Sequence, residues 1–352
     1  MSSCMWICYV LTYNNMQIVF RPGKMEENRR KAASRSRGFG RRCRRTQSNG
    51  HGKPEKIVIK EWLYPFSQTS PGSGKKSKFL NYLHYPLSMM KEERTLAVIS
   101  PVNLFGIALA VYLIWTLATY LLEGRLNLLV TGDPTGRLIY ALVANLLIGT
   151  VLVIVVVKQF RTRNGIPQEY FGFQPFRRTM VSVLSAFILG LIIFVVSAPR
   201  TLDPVIVLNV FAQVFTTSTA EILVVYVLAG VAGAWMVRSY GRGLSILAGI
   251  VLASVLFGVY HLAHSPPFNT VSMILLLTFI GAITGVFFFL VHEIYSTIIF
   301  HNFFALLGVM GNIDTTNFQA PNVFLLVMML VTIGVIAGMD LRLIRPDNEK
   351  KI

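Results

Sequence analysis

The side chains of this chain that could do chemistry are few, and they stand in long apolar runs. Glu221 follows the hydroxyl-rich stretch Thr216-Thr217-Ser218-Thr219, His261 ends one apolar run, and His301 lies inside another. Placing Asp, Arg or Lys at the centre of a bilayer costs an estimated 2.5–3.5 kcal/mol on insertion scales, so an ionisable residue in such a run is a functional candidate by default. No cation stands one turn from Glu221, since position 225 is Val225. A carboxylate and two imidazoles from three helices form a chemical set. The carboxylate can take a proton from water, one imidazole can orient the carboxylate or the water, and the other can donate to the oxyanion of a tetrahedral intermediate. That set suits a peptidase needing no metal or other cofactor. It equally suits a proton relay in a transporter.

Other polar residues read more blandly. His292 and Glu293 fall at a junction between apolar runs, where solvation at the membrane boundary is cheap. His264 precedes Ser265-Pro266-Pro267 and reads as a loop residue. His261 and His264 have the H-x-x-H spacing of a zinc pair, but the Glu of H-E-x-x-H is absent, so no metal site is expected. Asn302 adjoins His301 but points about 100° away from it on a helix.

The elements that must position these residues are transmembrane helices. The chain has 352 residues, 53% hydrophobic and only 14% charged, against roughly 25% charged in soluble domains. That excludes a single soluble globule. A crossing needs about 20 apolar residues. Candidate spans are Ala97–Leu122, Leu138–Val157, Met180–Val196, Pro204–Val237, Ser245–His261, Val271–Val291, Tyr295–Met310 and Val323–Ala337. The fold class is therefore all-α, a polytopic transmembrane helical bundle of about eight helices. The fourth span is long and polar in its middle. It is expected to break there, with a hydroxyl among residues 216–219 capping a new helix and Glu221 in its first turn.

The net charge of +17 is concentrated before the spans, with 19 Lys and Arg against 6 Asp and Glu in residues 1–96. That segment, with Arg41-Arg42-Cys43-Arg44-Arg45, reads as a disordered basic arm, and residues 97–352 as the membrane domain. The arm has no helical periodicity and no interleaved aromatics, so it reads as a solvated tail before a specific site; its functional reading is attraction to anionic lipid head groups, and no nucleic-acid partner is expected. All the cysteines (Cys4, Cys8 and Cys43) lie in it, too few for a disulfide framework. Basic residues in the arm, in Lys158–Arg178, at Arg238 and Arg242, and in the tail fall on alternate links. By the positive-inside rule this describes a multi-pass protein, expected in the cell membrane with both termini cytoplasmic. The links between them are balanced, with Glu123 and Asp133 offset by Arg125 and Arg137.

The order of these residues resembles a known family. Phe257-Gly258-Val259-Tyr260-His261 is similar to the F-x-x-x-H motif of the CAAX protease and bacteriocin-processing family of intramembrane endopeptidases. Phe279 to Gly285 resembles the glycine-spaced helix that follows it. Ser296 to Asn302, carrying His301, resembles the last motif, and Ala220-Glu221 falls where the family has a Glu-Glu pair. The likeness covers roughly Met180–Leu307. It implies a metal-independent endopeptidase with Glu221 as general base on water, His261 as its partner and His301 as oxyanion donor, acting on a hydrophobic or prenylated protein or peptide. The family pattern E-E-x-x-x-R meets Ala220, Glu221 and Val225 here. Two readings follow: Glu221 substitutes from the next position, or the chain is an inactive relative serving peptide binding, immunity or scaffolding. A transporter with Glu221 as proton site ranks below both, because no paired broken helices stand in corresponding halves.

Overall fold

The computed structural model of the chain describes residues 99–128, 134–199, 201–312 and 318–344. The basic arm 1–96 and its cysteines lie outside the described residues. Among the described residues all regular structure is helical, and eight helices are long and apolar enough to cross a membrane. They are α1 (Pro101–Gly124), α2 (Thr135–Asn164), α3 (Gln168–Val196), α4 (Pro204–Met236), α5 (Arg242–Ala263), α6 (Val271–Val291), α7 (Ile294–Asn312) and α8 (Val323–Ile344). The chain is a multi-pass membrane bundle, as its apolar runs predict.

Local chemistry sets the helix ends. Ser100 accepts from the amide of Asn103 with Pro101 following, and Asp203 accepts from Val205 and Ile206 with Pro204 following. Asn322 does the same for α8. A side-chain oxygen at the cap satisfies amides that have no helical partner, and a proline in the first turn lacks the donor that would be orphaned.

α4 is the axis of the bundle. Of its most apolar stretch 94% is buried, against 17–61% for the other helices. α1, α2, α5, α7 and α8 all pack on it, while α3 is held by α7 and α6 by α5. The expected break in α4 is absent. The helix runs on from its Asp203 cap through the hydroxyl residues, two of which find partners on neighbouring helices: Thr216 bonds Thr332 of α8 at 2.9 Å, and Thr217 accepts from Asn145 of α2 at 3.1 Å. What changes is the winding. The α-helix ends at Glu221 and Ile222–Gly230 continues as π-helix. A wider turn is a recurrent feature of functional sites. Glu123 lies in another such turn, Tyr120–Gly124, at the end of α1.

The α6–α7 junction also departs from expectation. Glu293 is fully buried, not solvated. It caps α7, accepting from the amides of Tyr295 and Ser296 at 3.2 and 2.6 Å and from Thr179 Oγ1 at 3.3 Å. Burial raises its pKa, against the lowering effect of those hydrogen bonds. His292 ends α6 in the left-handed region, with Nε2 3.0 Å from the Tyr170 carbonyl, and burial lowers its pKa.

Candidate active site

Glu221, His261 and His301 come together. α4 delivers Glu221 from the bundle axis, the end of α5 delivers His261, and the middle of α7 delivers His301. All are buried, with His301 only 1% exposed. His301 Nε2 lies 3.0 Å from Glu221 Oε2, and its Nδ1 lies 3.0 Å from Thr284 Oγ1 of α6. A carboxylate only accepts, so Nε2 carries the proton and Nδ1 accepts from the threonine hydroxyl. Both nitrogens are then engaged. His301 fits the role of orienting Glu221 better than that of an oxyanion donor.

His261 stands differently. Its Nδ1 is 2.8 Å from the Phe257 carbonyl, one turn back. A carbonyl also only accepts, so the ring proton sits on Nδ1 and Nε2 presents a lone pair. That lone pair faces Glu221 Oε1 at 3.9 Å. Two acceptors so placed call for a donor between them. A water oxygen can sit about 2.8 Å from both, giving one proton to each and turning its own lone pairs outward.

Packing holds α5 in place for this. Tyr260 stacks on Trp115 of α1 with ring centroids 3.8 Å apart. Its hydroxyl lies 3.3 Å from Thr119 of α1 and 3.2 Å from Tyr140 of α2. On the other side of Glu221, Ala220 is fully buried against Gly149 of α2, where any Cβ would overlap its own. The position where the family pattern has its first Glu therefore faces a helix contact, not the cavity.

Two residues that the sequence left aside join the site. His264 is buried, only 6% exposed, with its ring 5.1 Å from that of His261 and nearly parallel to it. Glu123 is fully buried and accepts from the amide and hydroxyl of Ser265. Glu123 Oε2 lies 3.0 Å from His264 Nδ1. That contact is at ion-pair distance but outside hydrogen-bond alignment, so both ring nitrogens of His264 lack a hydrogen-bond partner. The approach depends on Gly124, because a Cβ there would strike the Ala263 carbonyl.

Glu123, Glu221, His261, His264 and His301 line one cavity of about 580 Å³. Its remaining wall includes Phe268, Leu277, Ile280, Phe304, Leu325 and Met328. One ligand atom each from Glu221, His261 and His264 lies within 4.8 Å of the other two. Tetrahedral zinc with bonds of 2.0–2.1 Å would bring such atoms to about 3.4 Å from one another. A tetrahedral water at about 2.8 Å would set them about 4.6 Å apart. The Glu221 Oε1–His261 Nε2 separation of 3.9 Å lies between the two values.

No family model, no curated protein and no solved structure matches this chain.

Proposed function

We propose that the protein is an intramembrane endopeptidase of the CAAX protease type, cleaving a hydrophobic or lipidated protein or peptide with water activated by Glu221. The observation that carries this reading is the pair of facing acceptors, Glu221 Oε1 and His261 Nε2, 3.9 Å apart. A water held by both is oriented for attack and has its base in contact. Glu221 takes a proton as the water oxygen adds to the peptide carbonyl, and returns it to the nitrogen as the C–N bond breaks. His301, braced by Thr284, keeps the carboxylate in register. The apolar part of the wall, with Phe268, Leu277, Phe304, Leu325 and Met328, suits a hydrophobic segment or a lipid-modified chain, and Arg137, Gln213, Ser218 and Asn322 supply polar groups beside it. The charge of the links and tail favours the cell membrane with both termini cytoplasmic.

One observation favours a second reading, a non-enzymatic peptide-binding relative: position 220 cannot supply a carboxylate to the cavity. Hydrolysis of a hydrophobic or prenylated peptide by the purified protein in lipid discs separates the two. A working site loses roughly 10²–10⁴ of its rate in Glu221→Gln, as for removal of a general base. Equal turnover in Glu221→Gln and wild type would overturn the enzymatic reading.

A further inference from the structure

Hydrolysis of an amide needs more than a base. As water adds, the carbonyl oxygen becomes an oxyanion, and a donor fixed beside it lowers the barrier. The imidazoles supply none. Both nitrogens of His301 are bonded, and the His261 proton is held by the Phe257 carbonyl. The nitrogens of His264 are sealed off, with no surface open to the cavity. The hydroxyls before Glu221 differ among themselves. Thr332 donates to the Met328 carbonyl, so Thr216 spends its proton on Thr332. The oxygens of Ser218 and Thr219 are sealed off like the nitrogens of His264. Thr217 is half-buried and lines the cavity.

Hydrogen bonds fix the direction of the Thr217 hydroxyl. Trp115 Nε1 can only donate, and it lies 3.3 Å from Asn145 Oδ1. The amide nitrogen of Asn145 is thereby turned to Thr217, 3.1 Å from Oγ1. Thr217 accepts that bond, so its own proton goes elsewhere. Among the described residues no acceptor stands within reach of it, not even the carbonyl one turn back that Thr278 uses. We infer that Thr217 is the oxyanion donor of this site, its hydroxyl turned to the cavity by Asn145. The inference rests on the peptidase reading above. Residues four apart share a helix face, with Cβ atoms about 5–6 Å from one another. Thr217 is thus one turn from Glu221, on the same side of α4. The attacking oxygen and the oxyanion are carried by one carbon, so base and donor must be this close. Gln213 also lines the cavity, but it lies two turns from Glu221, about 12 Å along the axis, too far for the same carbonyl. The step balances around Thr217. The water oxygen bonds the carbonyl carbon as Glu221 takes its proton. Thr217 hydrogen-bonds the oxyanion and keeps its own proton. The C–N bond then breaks as Glu221 protonates the nitrogen.

The test uses purified full-length protein in lipid discs with a hydrophobic peptide. Loss of one oxyanion donor costs about 10²–10³ in kcat. Thr217→Val, which keeps the shape and removes the hydroxyl, is expected to show that loss with little change in KM. Thr217→Ser, which keeps the hydroxyl, is expected to recover most of it. Should the valine variant not fold, Thr217→Ala removes the same group without its bulk and carries the same expectation. If the variant without the hydroxyl keeps kcat within threefold of wild type while Glu221→Gln is dead, this inference fails and the peptidase reading stands. A second readout needs no turnover. A hydrophobic peptide in which a ¹³C-labelled ketone and a methylene replace the scissile amide binds without being cut. A donated hydrogen bond weakens the C=O bond, so the infrared stretch of the bound ketone should lie lower in wild type and Thr217→Ser than in Thr217→Val. The same frequency in all three would overturn the assignment of Thr217, whether or not any peptide is cleaved.

Discussion

Replacing Ala220 with glutamate would restore the Glu-Glu pair of the resemblance, and the structure says that it would damage the protein without helping it. Ala220 is fully buried, its Cβ lies against the bare Cα of Gly149, and Trp115 Nε1 borders the same spot. Successive residues on a helix are about 100° apart, so 220 and 221 face different neighbours. Glutamate adds a methylene and a carboxyl where one Cβ already fills the space. Overpacking of this kind costs about 1–3 kcal/mol, and burying an unpartnered polar group roughly another 1–3. At roughly 2–4 °C per kcal/mol for a domain of this size, the melting temperature should fall by about 5–20 °C. The assay is thermal unfolding in detergent, followed by Trp fluorescence, with Ala220→Gly as control and peptide turnover measured in parallel. A variant as stable as wild type with raised turnover would refute the reasoning, because residue 220 would then have to reach the cavity.

Other outcomes follow from single contacts. Gly124→Ala should push the end of α1 off the Ala263 carbonyl and separate Glu123 from Ser265; the melting temperature should fall, and an unchanged one would count against the close approach. Thr284→Val removes the hydroxyl that braces His301, and should lower kcat by roughly 2- to 12-fold, the equivalent of the 0.5–1.5 kcal/mol of one hydrogen bond. Glu293 has a folded pKa above the 4.5 of an ordinary glutamate, so its protonation stabilises the fold below that value and the contribution is lost as pH rises through the folded pKa. Melting temperatures of wild type relative to Glu293→Gln should therefore decline as pH is raised from 4.5; a flat difference would contradict the burial.

The span pattern could be read from the sequence because a crossing demands long apolar runs, and Glu221 and His301 stood out because burial there is costly. Glu123 did not stand out. It ends a span beside Arg125, where a charge reads as solvated, and the residues that cover it, His264 and Ser265, are distant in sequence. His264 read as a loop residue for the same kind of reason: its neighbours are two prolines, and its partner is distant in sequence. The hydroxyl run before Glu221 looked like a helix boundary because its partners, Asn145 and Thr332, lie on other helices. The roles of His261 and His301 depended on hydrogen bonds to Phe257 and Thr284 that no spacing rule supplies.

The central claim is that Glu221 activates water for peptide hydrolysis. It is tested most directly by running the cleavage of a hydrophobic peptide in ¹⁸O-water and weighing the new carboxyl terminus. The account predicts one ¹⁸O incorporated per cut by wild type, and a rate lower by roughly 10²–10⁴ in Glu221→Gln. No cleavage by wild type, or cleavage that Glu221→Gln leaves unchanged, would contradict it.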